Sequence, residues 1–491
     1  MTRSAGDIVA DALSSAARRG APYADVRVVE ERRLDVATRN GQTARLDDTW
    51  TRGVGVRVLA DGAWGFAASA DLSPSGVDAL VARALDTARA SALIATTPLT
   101  LAPDDVASGA WSNPVQVDPW SISVAERLDL LREVDATLRR ESLVRVATAS
   151  VTTLQTHVTF ASTEGHHQDQ TFVVCGGGLR AVAANDDDMQ VRSAPNSFGG
   201  DHAQGGWEFV TGLDLVGVAP RVASEAAALL SAAPCPPGRR TIILDGSQLA
   251  LQIHESAGHP AELDRLLGWE ASYAGGSFLT RDRLGAYRYG SDAVSIVADS
   301  TTAGALGTFA WDDEGTPSQR WDLVRDGQFV GYLTSRDTAS AIGEARSRGA
   351  ARAASWARIP LVRMVNVSLE PGTAGSVDDL VADTEDGIYM ETNASWSIDD
   401  RRYHFQFGCE LGWEIQNGER TRMIKNPTYA GISPEFWASC DAVCGRDAWR
   451  MWGLMNCGKG QPGQLMRMSH GAAPARFRDV EVGVGFADGG A

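Results

Sequence analysis

Two histidines and an acid stand close together in Leu251-Gln252-Ile253-His254-Glu255-Ser256-Ala257-Gly258-His259-Pro260. Neutral imidazoles hold a borderline metal ion, and a carboxylate beside one of them can take the proton of a water activated there. The zinc-peptidase helix usual for that chemistry is H-E-x-x-H, with its histidines at i and i+4. Here the spacing is i and i+5, which on a regular α-helix leaves the rings about 140° apart. One straight helix cannot aim both at one ion. A π-bulge, or a helix that ends before His259, brings them together. Gly258 and Pro260, on either side of His259, suit a helix that breaks there. Alone the hexapeptide carries little weight, because the chain has eight histidines and chance pairs are common. Ordinary histidines flanking a helix end are the competing reading.

Such a pair needs a third protein ligand. Cys440 and Cys444 read as one turn apart on a helix, beside Phe436, Ala448 and Trp452, and so as small apolar residues of a buried face. Cys175 and Cys409 sit in strand-like runs and Cys235 in a linker. Cys457 differs. It stands in Met455-Asn456-Cys457-Gly458-Lys459-Gly460-Gln461-Pro462-Gly463-Gln464, read as a loop whose glycines let the backbone aim a thiolate, with Lys459 favouring the ionised form. Glu262 is a further option. The same stretch nearly spells the phosphate loop G-x-x-x-x-G-K-[ST], but Gly460 replaces the hydroxyl residue and Gln461-Pro462-Gly463 cannot open a helix. ATP hydrolysis is therefore disfavoured. Asp312-Asp313-Glu314 reads as a turn or a satisfied network rather than a cation site, His166-His167 as a solvated turn, and Gly176-Gly177-Gly178 as a loop. No G-x-S-x-G is present to serve a serine hydrolase.

The elements that must position these residues fall in two parts. Helical periodicity marks residues 5–19, 76–92, 123–140 and 219–232, while 24–38, 53–68 and 143–184 alternate or run Thr/Val-rich as strands. Val54, Val56 and Val58 point one way and Arg57 the other, as in a half-buried antiparallel sheet. Pro234, Pro236 and Pro237 mark a boundary, because prolines so dense suit neither helix nor sheet interior. Beyond it, 240–244 reads as a buried strand, 246–257 as a helix, 292–425 as short strands with turns, and 434–455 as a helical stretch before a glycine-rich tail. The expected fold is α+β in two domains. Residues 1–233 would carry helices on an antiparallel sheet, and 234–491 a mostly-β domain with a broken metal-binding helix.

Length and composition agree. The 491 residues are 44% hydrophobic with 14 tryptophans, enough chain and apolar content for large cores. Basic residues number 45 against 62 acids, a net charge of −17 that repels phosphate backbones and anionic membranes. No apolar run is long enough to span a membrane, and the acid-bearing N-terminus lacks the apolar core of a signal peptide. These features predict a cytoplasmic protein that binds neither nucleic acid nor membrane. Six cysteines are too few for a disulfide framework.

Taken together, His254-Glu255-x-x-x-His259 and the later Asn456-Cys457-Gly458-Lys459 resemble the TldD/PmbA family of modulator-of-gyrase-type metallopeptidases. The likeness extends to Gly53-Val54-Gly55-Val56-Arg57-Val58, Gly62-x-Trp64-Gly65-Phe66-Ala67, Asp312-Asp313-Glu314-Gly315-Thr316-Pro317, Gly331-Tyr332-Leu333-Thr334-Ser335-Arg336 and Arg363-Met364-Val365-Asn366. It covers about residues 5–488. The resemblance implies a zinc peptidase in which His254, His259 and Cys457 bind the ion and Glu255 is the general base. It further implies flexible or unfolded peptide substrates, among them natural-product precursors and small labile proteins. A partner is implied too, either a TldE/PmbA-like homologue in a heterodimer or a second copy in a homodimer. The rival expectation is a non-catalytic scaffold subunit that pairs with such a homologue, against which the retained Glu255 argues.

Overall fold

The structure, a computed structural model, describes residues 3–483. Helix α1 (Ala5–Arg18) starts at Ser4, whose hydroxyl accepts from the Asp7 amide, and buries Ile8, Val9, Ala12 and Ala16. An eight-stranded sheet comprises β1 (Tyr23–Arg39), β2 (Gln42–Ala60), β3 (Ala63–Ser69), β4 (Ser108–Ser112), β5 (Val144–Ser162), β6 (His167–Ala184), β7 (Met189–Ala194) and β8 (Asp201–Gln204). Its order is β3-β2-β1-β5-β6-β4, with β7 and β8 also on β6. Helices α1 and α2 (Pro74–Ala92) cover Val26, Val28, Val54, Val56 and Val58. Helices α3 (Val124–Leu138), α4 (Trp207–Gly212) and α5 (Leu215–Leu229) cover a second patch around Val36, Val151 and Ala181.

The other face of this sheet is not solvated as expected. Arg57 is 2% exposed and pairs with Asp25 at 2.6 Å and, across the molecule, with Glu314 at 3.1 Å. Around Arg57 the strands are buried on both sides because the C-terminal half lies against them. Gly176, Gly177 and Gly178 form no loop. They lie inside β6, where Gly176 and Gly177 pair with His202 and Asp201 of β8.

The chain then adds β9 (Ala233–Pro234) and β10 (Gly238–Leu244), followed by helix α6 (Gly246–Ile253). A small sheet holds β11 (Ile296–Asp299), β12 (Arg320–Arg325), β13 (Gln328–Phe329) and β16 (Asn366–Leu369), interrupted in sequence by the hairpin β14 (Ala351–Arg352) and β15 (Leu361–Val362). The remaining strands are β17 (Asp386–Ile398), β18 (His404–Gln416), β19 (Glu419–Lys425), β20 (Thr428–Ile432), β21 (Cys440–Val443), β22 (Arg450–Lys459), β23 (Gln464–Ala472) and β24 (Ala475–Val482). In the order β17-β10-β24-β20-β18, the last strand pairs back with β17, which closes a five-stranded barrel and removes its edges. Ile242, Met390, Phe407, Tyr429 and Phe477 belong to the core there. The first sheet uses no strand after Gln204, and the barrel sheet none before Ala233.

Residues 434–455 do not form the expected helix. Only Ser433–Ala438 is α-helical, with a single 3-10 turn at Arg446–Ala448. Beyond it β21 joins β24 and β22 pairs with β23, as Gly445 and Gly453 weaken a helix through this stretch. Cys440 therefore lies on a strand and Cys444 just past it, both buried among apolar groups. The glycine-rich tail forms strands to Val482, and residues 484–491 lie outside the described residues.

Candidate active site

Asp245 caps α6, accepting from the Ser247 and Gln248 amides. After Ile253 the helix widens into one π-turn, His254–Gly258, and closes in a short 3-10 turn, His259–Ala261. The His259 amide donates to the His254 carbonyl, the i→i+5 bond that an i, i+5 pair requires. Pro260 follows, unable to continue the ladder. Both routes read from the sequence are thus used in succession, and the two rings stand 4.7 Å apart.

The partners of the rings set which nitrogen is free. His470 Nδ1 lies 2.7 Å from the Val367 carbonyl, which only accepts, so Nδ1 carries the proton. Burial, helped by neighbouring His254, holds His470 well below the usual histidine range, so it stays neutral and its Nε2 accepts. At 2.8 Å from that nitrogen, His254 Nδ1 must donate, which leaves the His254 Nε2 lone pair free. His259 Nδ1 lies 2.9 Å from Glu262 Oε2, donates to it, and leaves its own Nε2 free as well. Burial lowers the pKa of both rings.

Cys457 Sγ lies 3.6 Å from His259 Nε2. The cysteine is on strand β22, not in a loop, just past a bulge between Leu454 and Cys457, and a bulge re-aims the side chains that follow it. Its carbonyl accepts from Arg363 Nη2 at 2.6 Å. Burial opposes ionisation of the thiol, but His259 and Arg363 outweigh it and hold the pKa below the usual value. Lys459 does not serve that purpose. It is buried with its Nζ 2.7 Å from Asp264, 3.3 Å from Glu262 and 3.5 Å from Glu270. One ligand atom each from His254, His259 and Cys457 fall within 4.8 Å of one another.

Glu255 is 7% exposed and accepts from Arg402 Nη1 at 3.0 Å. Arg402 sits at φ +64° in the turn between β17 and β18, where Asp399 accepts from the amides of Arg401, Tyr403 and His404. His254, Glu255, His259, Arg402 and Cys457 meet at a cavity of about 170 Å³, with Phe198 and Trp396 in its wall.

Residues 24–88, 117–233 and 237–483 match, in that order, domain 1, the central domain and the C-terminal domain of PmbA/TldA metallopeptidases. The chain belongs to the PmbA/TldA metallopeptidase family. Relatives span nearly its whole length. A metalloprotease of Methanothermobacter thermautotrophicus is 29% identical over 466 residues, 94% of this chain and 95% of its own. One from Methanocaldococcus jannaschii is 26% identical over 436 residues, 87% and 92%. A Saccharolobus solfataricus protein named a zinc metalloprotease TldD homolog is 24% identical over 252 residues, 50% and 52%. TldE from Thermococcus kodakarensis superposes with a TM-score of 0.72 at 14% identity, covering 97% of this chain and 99% of its own, which speaks for the shared fold.

Within this PmbA/TldA chain, sequence reasoning missed three supports of the site. Glu262, weighed as a ligand, instead holds His259 and pairs with Arg265 at 3.1 Å. His470 and Arg402 carried no usable signal, since they lie 216 and 147 positions from the groups they hold. The expected solvated turn at His166-His167 is half wrong. His166 is 2% exposed, and its Nδ1 accepts from the Ala107 amide. The acid run at 312–314 is a satisfied network, with Asp312 accepting from the Glu314, Thr316 and Ala351 amides.

Proposed function

We propose that this chain is a zinc-dependent peptidase acting on unfolded or flexible peptides, with Glu255 as general base and His254, His259 and Cys457 as metal ligands. What supports this reading most is the convergence of two free Nε2 lone pairs and one thiol within 4.8 Å, beside a carboxylate and at a cavity. Neutral imidazoles with a thiolate of depressed pKa suit zinc better than hard cations, and three protein donors would match a catalytic rather than a closed structural zinc site. Bound zinc supplies Lewis acidity, which acidifies water and polarises a carbonyl. Glu255 takes a proton from the attacking water as the C–O bond forms and returns it to the amine as the C–N bond breaks. Arg402 orients that carboxylate, while His470 and Glu262 orient the imidazoles.

A cavity of about 170 Å³ favours an extended chain over a folded domain, which fits natural-product precursor peptides or small labile proteins as substrates. A TldE/PmbA-like homologue or a second copy is the proposed partner. From Gln42 to Gly53, β2 pairs on one side only among the described residues, and Leu46 and Trp50 are about half exposed there. Among the described residues no helix is long and apolar enough to cross a membrane.

Metal content of wild type and Cys457→Ser, purified without chelator, tests the site. About one zinc per chain is expected in the wild type and little in the variant. Glu255→Gln should keep zinc and lose cleavage of an unstructured peptide. Undiminished cleavage by Glu255→Gln would overturn Glu255 as the base, and no zinc in reconstituted wild type would overturn the mechanism and favour the scaffold reading.

A further inference from the structure

Two kinds of residue line the cavity at the histidines. His254, Glu255, His259, Arg402 and Cys457 are polar, and each already has a hydrogen-bond partner. Phe198 and Trp396 line the same cavity and are apolar. Trp396 is 51% exposed. An indole carries a large apolar area, and half of this one stays in water beside the proposed ligands.

The two rings come from opposite halves of the chain, and each is held in place. Phe198 stands in the turn between β7 and β8, where its amide donates to Asn196 Oδ1 at 2.9 Å. Asn196 is itself buried. Gly200, at φ +92°, lets this turn lie against β6, since a Cβ there would sit 1.8 Å from the Gly177 carbonyl oxygen. Trp396 follows an irregularity in β17, where the register shifts between Asn393 and Ser395, and stands opposite Phe407 of β18. Such a shift re-aims the side chains beyond it. The rings meet edge to face with centroids 5.7 Å apart, a geometry that stabilises the pair beyond its buried area. The patch is therefore formed before a substrate arrives, and little side-chain entropy is lost on binding to it.

We propose that Trp396 and Phe198 form a subsite for an apolar side chain of the peptide, leucine- or phenylalanine-like, on a residue flanking the scissile bond. The inference rests on the peptidase reading and adds a sequence preference to it. Position follows from size. A compact cavity of about 170 Å³ spans roughly two extended residues, so a side chain against Trp396 belongs to one of the two residues that the attacked bond joins. An apolar side chain there takes its own surface and the indole's out of water together. A carboxamide laid on the ring faces loses water and gains no hydrogen bond in return.

Competitive cleavage of a mixture of unstructured peptides by the zinc-loaded protein tests this, with the cuts mapped by mass spectrometry. The peptides carry Leu, Phe, Ala or Asn at each position in turn, and initial rates in the mixture give ratios of kcat/KM. Beside the cut, Leu and Phe should exceed Ala and Asn about tenfold, as the extra carbons of Leu over Ala predict when covered on about one side. Trp396→Ala should shrink that ratio to about threefold or less, and Trp396→Phe should keep most of it. Phe198→Ala should lower it too, an independent check if either alanine variant folds poorly. Each ratio is internal to one preparation, so a general loss of activity does not imitate the effect. Equal rates for all four residues, a preference three or more residues from the cut, or a ratio unmoved by Trp396→Ala would overturn the proposal. An unmoved ratio together with a smaller assembly in light scattering would assign the patch to a partner subunit instead. No cleavage of any peptide would refute the peptidase reading, and the subsite with it.

Discussion

Replacing His470 with phenylalanine removes the acceptor that fixes the His254 tautomer while nearly filling the volume. His470 Nε2 is the hydrogen-bond partner of His254 Nδ1, at 2.8 Å, and His470 is fully buried. Without it the Nδ1–H of a ligating His254 is stranded in a dry interior, at a cost of about 1–3 kcal/mol. The apo protein can avoid that cost by moving the proton to Nε2, which is then unable to ligate. The loss therefore falls on the metal-bound state, and zinc affinity should drop about 10- to 100-fold. Competition with a chromophoric chelator at fixed pH reads this directly, with circular dichroism confirming the fold. His470→Gln, whose amide oxygen can accept, should recover part of the affinity. Zinc held by His470→Phe within about twofold of wild type would refute the tautomer chain, because the predicted change is at least about tenfold.

Arg402→Met should leave zinc content intact but lower kcat about 10- to 100-fold, the worth of one charge-assisted hydrogen bond to Glu255. A change confined to KM in steady-state assays would place Arg402 in substrate binding instead. His202 is buried, and burial lowers its pKa to about 4. The unfolded chain therefore takes up protons that the folded one refuses, and this contribution to stability is full above about pH 6.5 and fades as pH falls towards about 4. Urea unfolding at pH 7 and 5 should show the wild type losing about 2 kcal/mol more than His202→Gln. A Cβ on Gly55 would sit 2.5 Å from the Trp356 carbonyl of the C-terminal half. Gly55→Ala should accordingly lower the urea midpoint by the equivalent of about 1–3 kcal/mol, with faster limited proteolysis.

What could be read ahead of the structure was what local periodicity or spacing encodes. Helices α1, α2, α3 and α5 show their buried stripes in sequence, and β1 to β3 show their alternation. The i, i+5 histidine spacing is informative because it is wrong for a regular helix, and the π-turn is the physical answer to it. Arg57 misled because alternation reports one apolar face and says nothing about a second element, here Glu314, arriving 257 residues later. Residues 434–455 misled because short-range helical spacing cannot reveal a strand partner, and β22 owes its form to β23.

The buried charges beside the site suggest why the supports were harder to read than the proposed ligands. Lys459 and Arg265 face Glu262, Asp264 and Glu270, all of them buried. Such a cluster is a poor way to stabilise a core, since apolar residues of equal volume often do as well or better. Its arrangement makes sense by what it holds. Lys459, His259 and Arg265 keep Glu262 well below the usual carboxylate range despite its burial, so an ionised acceptor is always presented to His259 Nδ1. On the other ring the same task falls to a neutral histidine whose own proton is pinned by a carbonyl. One imidazole is oriented by charge and the other by a tautomer relay. Both devices converge on free Nε2 atoms facing the cysteine, yet neither leaves a short motif, because each is assembled from β22, β23 or the segment after the π-turn only once the halves of the hairpin and the broken helix have packed together.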